Sequence, residues 1–79
     1  MQTAAQRFLD AYPTPNALRD SVRERNIHDI LREHGVVECP YIADNGHGMR
    51  CETLGYWIFH GGLSLQQIHA AVQAAAQQA

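Results

Sequence analysis

Apolar residues recur at intervals of three and four along the first third of the chain. Ala5, Phe8, Leu9 and Tyr12 share one helical face. Thr3, with Gln6 three residues on, has the form of a capping box, and Pro13 is a stop. A helix is therefore predicted over about 3–12. Thr14 as cap and Pro15 at the first helical position restart the chain. Leu18 and Val22 continue the apolar face, so a second helix is expected over about 15–25. Then the phase breaks. Ile27, Ile30, Leu31 and His34 form a stripe rotated away from Leu18 and Val22. Asn26 sits at the break and is expected to cap a third helix over 27–34, one bent helix being the alternative. Gly35 supplies its C-terminal stop.

The next stretch, "VVECPYIADNGHGMRCET" from Val36 to Thr53, changes period. Alternation predicts a hairpin over about 36–53 with a three-residue loop, Asp44-Asn45-Gly46. Its facing pairs are Ala43/His47, Tyr41/Met49, Cys39/Cys51 and Val37/Thr53. One face is then mostly apolar, and the other carries Glu38, Pro40, Arg50 and Glu52. Pro40 confines its strand to a sheet edge or to a position needing no donor. "LGYWIF" from Leu54 is apolar throughout, so its period does not separate helix from strand, and Gly61-Gly62 favour a helix with a glycine stop. The last element has the clearest signals. Ser64 with Gln67 makes a second capping box, Leu63 and Ile68 a hydrophobic staple, and Leu65, Ile68, Val72 and Ala75 the buried stripe of a helix over about 64–78. The expected fold class is α+β: a small helical domain with one antiparallel β-hairpin and a C-terminal helix, one domain over 1–79.

Charge narrows the functional classes. The net charge is −2 and all six basic residues are arginine. Such a chain lacks the broad positive footprint of nonspecific nucleic-acid binding. Arginine instead suits planar, hydrogen-bonded recognition of carboxylates or phosphates. Arg19 and Arg23 are four apart, Arg25 and Arg32 seven apart, and local Asp20–Arg23 and Arg25–Asp29 pairs are expected. No apolar run approaches membrane-spanning length. Two cysteines without a visible secretory signal lead to the expectation of a cytoplasmic protein with free thiols.

The quoted segment also invites a metal. A zinc site from Cys39, His47, Cys51 and His60 has the spacing C-x7-H-x3-C-x8-H, without the close ligand pair usual for zinc. In the predicted hairpin His47 lies four residues from Cys51, roughly 13 Å along a strand. Two core thiols beside Tyr41 and Met49 are the preferred reading, with no cofactor, and a cross-strand Cys39–Cys51 disulfide is the alternative in an oxidising compartment. His28, His34, His60 and His69 are scattered and read as capping or surface groups. No cysteine–histidine pair, phosphate-binding glycine loop or activated nucleophile is evident, so no enzymatic activity is expected.

The stretch "ILREHGVVE", Ile30 to Glu38, resembles the end of the recognition helix and the first wing strand of winged-helix domains. The turn from Asp44 to Gly48 would be the wing tip, and the resemblance spans residues 3–53. It implies that the third helix and the wing approach DNA, with Arg25, His28, Arg32 and Arg50 as contacts. Winged-helix-like domains also bind proteins, which suits the acidic balance better. The expectation is a small non-enzymatic protein-binding module, an inhibitor or adaptor. By size and make-up it resembles accessory proteins of phages and mobile elements, anti-CRISPR proteins among them. Its contact residues would be Arg19, Arg23, Arg25, Arg32, His47 and Arg50, facing an acidic partner surface, with Tyr56 and Trp57 as further candidates if exposed. A winged-helix transcriptional regulator and a zinc-stabilised domain are the alternatives. Homodimerisation through the Ala-rich end of the last helix is a further expectation.

Overall fold

Thr3 opens the first helix as its sequence implies. Its hydroxyl accepts from the Gln6 amide at 3.2 Å, and the Gln6 side chain accepts from the Thr3 amide at 3.0 Å. The computed structural model describes residues 3–44 and 49–77, the side chains of 42–44, 49–51 and Gly61 excepted. Five helices and one antiparallel hairpin follow in order: α1 Ala4–Ala11, α2 Pro15–Val22, α3 Ile27–His34, β1 Pro40–Asp44, β2 Met49–Thr53, α4 Leu54–Gly61 and α5 Leu65–Gln77. The fold is a small α+β one with a C-terminal helix. Among the described residues no helix is long and apolar enough to cross a membrane.

The helix ends carry the sequence signals in working form. Thr14 caps α2 through the Ala17 amide at 3.2 Å. Asn26 caps α3 through the His28 amide at 2.7 Å, so α2 and α3 are separate helices rather than one bent one. The second helix ends at Val22, short of the expected 25. Gly35 stops α3 at φ 75°, its N–H donating to the carbonyls of Arg32 and Leu31. A side chain at that left-handed conformation would be strained, which is why glycine stands there. Ser64 and Gln67 exchange the two bonds of the second capping box, at 3.1 and 2.9 Å.

All five helices feed one core. Ala5 and Phe8 come from α1, Leu18 from α2, Ile30 and Leu31 from α3, Leu54 from α4, and Ile68, Ala71 and Val72 from α5. Val36 joins them from the α3–β1 connection. Burying each large apolar side chain contributes about 1.5–3 kcal/mol. Leu65 and Ala75, expected in the buried stripe, lie at its half-buried edge.

The hairpin differs from expectation in both length and register. Val36–Cys39 is a turn closed by the Cys39 amide on the Val36 carbonyl at 3.1 Å, and strand pairing begins only at Pro40. Observed Cα partners are Pro40/Thr53, Tyr41/Glu52, Ile42/Cys51, Ala43/Arg50 and Asp44/Met49. Relative to the expected pairs this is a slip of three residues. Asp44 therefore belongs to β1 rather than to a three-residue loop, and residues 45–48, with the predicted wing tip, lie outside the described part. Cys39 does not face Cys51; its carbonyl accepts from the Leu54 amide at 2.7 Å. The reason is tertiary. Leu54 must enter the core, and the bonds Leu54 to Cys39 and Gly55 to Val37 (2.9 Å) tie the start of α4 to the turn. That anchor sets the register, and the polarity of two strand faces in a lone ribbon is too weak to oppose it.

Candidate functional site

Helix α4 resolves the ambiguous "LGYWIF" segment. Thr53 caps it through the Tyr56 amide at 3.2 Å, and Gly62 ends it at φ 64°. Leu54 and Gly55 face inward, and Ile58 is half-buried against the core. The aromatic residues are thereby turned toward the hairpin and solvent. The Trp57 indole N–H donates to the Tyr41 carbonyl at 3.0 Å, which joins α4 to β1. Ring contacts then run along the helix: Tyr41–Trp57 at 6.1 Å, Tyr56–Trp57 at 5.5 Å, Tyr56–His60 at 4.5 Å and Phe59–His60 at 5.0 Å. Phe59 ends this series 77% exposed, the one exposed large apolar residue among those described. Tyr56 and Trp57 are contact candidates only if exposed, and Trp57 is expected in the core. Both prove half-buried.

Beside Phe59 stands α3, which carries Arg32, with Arg25 in the connection just before it. Arg25 pairs with Glu33 at 2.5 Å, not with Asp29 as expected. The Glu33 hydrogen bond and charge raise the Arg25 pKa, and Arg25 in turn holds the Glu33 carboxyl below its ordinary value. Arg32 lies 3.9 Å from Asp29, both more than 60% exposed. Surface pairs of this kind contribute little to stability and exchange readily with other charges. Arg19 and Arg23 are exposed on α2 and at its end, with no ion pair among the described residues, so the expected Asp20–Arg23 pair is absent there. His47 and the side chain of Arg50 lie outside the described residues.

The proposed zinc set is likewise only partly described. Cys39 is a free, half-buried thiol, and His60 stacks on Tyr56 at the end of α4. Among the described residues no cluster of three or more metal-binding side chains occurs. The remaining ligands, His47 and Cys51, are outside that set. Burial raises the Cys39 pKa, because the thiolate is poorly solvated there. The neutral thiol is thus the form favoured by folding. Its stabilisation is full below the ordinary thiol value and is lost as pH rises through the folded-state value. A Cys39→Ala variant is expected to lose less stability than the parent above about pH 9, measured by urea unfolding across an alkaline pH series.

Two histidines read as capping or surface groups are structural instead. His69 is 2% exposed, and its Nε2–H donates to the Tyr12 carbonyl at 2.7 Å. His34 packs edge-on against Phe8 and Tyr12, at 5.7 and 5.5 Å, with its Nδ1 3.0 Å from the Ile30 carbonyl. Neither is placed for chemistry. No protein-family model, curated protein or solved structure matches the chain.

Proposed function

We propose that the chain is a small non-enzymatic protein-binding module, an inhibitor or adaptor working in a reducing, cytoplasmic setting, and that the α3–α4 face is its contact surface. Phe59 carries the proposal. Phe59 is 77% exposed, and an exposed aromatic is the residue type that most often anchors a protein contact. Its ring meets that of His60, which stacks on half-buried Tyr56, and the Arg32–Asp29 pair lines the same surface. An aromatic centre with a polar rim is the usual anatomy of a protein contact. The winged-helix DNA-binding reading rests on the same α3, but Arg32 on it and Arg25 just before it lie against Asp29 and Glu33, which oppose phosphate approach.

Capture of partners from the native host by the tagged full chain tests this. One protein is expected to be retained by the parent and to bind about 30-fold more weakly to Phe59→Ser, the loss typical of a contact hot spot. The unfolding midpoint of Phe59→Ser should stay close to that of the parent, since the residue is exposed. Retention of nucleic acid in place of protein, or equal capture by Phe59→Ser, would overturn the proposal.

A further inference from the structure

The hairpin is a two-stranded sheet, so neither strand has another strand on its outer side among the described residues. A lone pair of strands is marginal in water, and an open strand edge is a template for further pairing. The register shows which backbone groups face outward. The Leu54 amide donates to the Cys39 carbonyl at 2.7 Å, which makes those two a hydrogen-bonded pair. Alternation along the ladder then turns the N–H and C=O groups of Pro40, Ile42 and Asp44 outward on β1, and those of Met49, Cys51 and Thr53 outward on β2. The two edges are not alike. On β1 the first outward position is Pro40, which has no N–H to offer, and α5 lies against that strand. On β2 every outward position has its N–H. Helix α4 continues directly from β2 but turns back: the Gly55 amide bonds the Val37 carbonyl, and the Trp57 indole bonds the Tyr41 carbonyl. Both anchors lie on the β1 side, so α4 leads away from the outer edge of β2.

We infer that β2 pairs with β2 of a second copy of the chain, antiparallel about a two-fold axis at Cys51, to make a continuous sheet in the order β1–β2–β2–β1. The charges of the strand carry this. Its sequence is Met49-Arg50-Cys51-Glu52-Thr53. Antiparallel pairing centred on Cys51 sets Arg50 of each copy opposite Glu52 of the other, and Met49 opposite Thr53. The backbone phase agrees. The two Cys51 residues face each other with their outward N–H and C=O groups, and Arg50 and Glu52 fall at the closer, non-hydrogen-bonded positions, where opposite charges attract most. A shift of two residues keeps the same backbone groups facing but sets Arg50 opposite Arg50, or Glu52 opposite Glu52. Charge therefore selects one register, and that register is self-complementary, as a two-fold interface requires. The contact is short, so the dimer is a weak one. It uses neither Phe59 nor α3 and is separate from the partner face proposed above.

Sedimentation equilibrium of the full chain in a reducing buffer tests this. The parent is expected to dimerise with a dissociation constant of about 10–100 µM. Arg50→Glu and Glu52→Arg each set like charges opposite one another on both sides of the axis, and each should weaken self-association about 30-fold. Mixed in equal amounts, the two variants should form a heterodimer about as tight as the parent, because every opposed pair then has opposite signs again. The mixture also separates lost pairing from lost folding, since a variant that had failed to fold could not be rescued in this way. Phe59→Ser should dimerise like the parent. A parent chain that stays monomeric up to about 500 µM, a dimer indifferent to both charge reversals, no heterodimer on mixing, or loss of the dimer in Phe59→Ser overturns the inference.

Discussion

Replacing His69 by alanine is expected to remove about 3 kcal/mol of stability, read from urea unfolding of the full chain. Two losses combine. The imidazole is 2% exposed and lies 6.5 Å from the Phe8 ring, so its removal leaves a cavity against the core. Its Nε2–H also satisfies the Tyr12 carbonyl, at the residue that ends α1. That carbonyl is one of the groups a helix end leaves without a helical partner, and losing its part-buried hydrogen bond adds to the cost. A domain of this size has only about 5–10 kcal/mol in total, so the variant should melt roughly 15 °C lower. Two further variants separate the causes. His69→Leu keeps volume and loses the donor, and should cost about 1–2 kcal/mol. His69→Gln keeps a donor of similar reach and should cost less. If Leu and Gln are equally tolerated, packing rather than the hydrogen bond holds α5 to the end of α1.

Gly55→Ala should cost about 2 kcal/mol, although alanine is ordinarily the better helix former by about 1 kcal/mol. Gly55 lies in the first turn of α4 and donates its amide to the Val37 carbonyl at 2.9 Å. A Cβ there would overlap Cγ2 of Val37 and stand 3.3 Å from that carbonyl oxygen. Valine has little rotamer freedom with which to retreat, and the backbone oxygen is held by its own hydrogen bond. The overlap therefore outweighs the helix preference. In a double-mutant cycle, Val37→Ala should absorb most of the penalty of Gly55→Ala, giving a coupling of about 1 kcal/mol or more. Simple additivity would show that the cost arises elsewhere. The same contact anchors the register of the hairpin, so Gly55→Ala should also broaden the amide resonances of β1 and β2.

Phe59 shows where sequence reading stops. A run such as "LGYWIF" has no period, because nearly every position is apolar. Once Leu54 and Gly55 are seated against the core and the Val36–Cys39 turn, helical geometry decides which way the others point. Phe59 is then on the outside, a position that hydrophobicity alone assigns to the interior. His69 is the converse case. Its polarity points to the surface, yet it is buried where it can donate to the carbonyl that α1 leaves free at Tyr12. The arginines were recognised by type, but their partners were not. Arg25 reaches across from the α2–α3 connection to Glu33, eight residues away.

Local chemistry was sufficient wherever a signal is completed within four residues. Thr3 with Gln6, Thr14 with Pro15, Asn26, Gly35, and Ser64 with Gln67 each start or stop a helix through bonds to near neighbours, and the structure has them all. The sequence by itself thus determined where four of the five helices start, the hairpin's existence and the α+β class. The hairpin register, the burial of His69 and the exposure of Phe59 were decided only by tertiary structure. Each depends on a group distant in sequence meeting a packing or hydrogen-bonding need that no local pattern encodes.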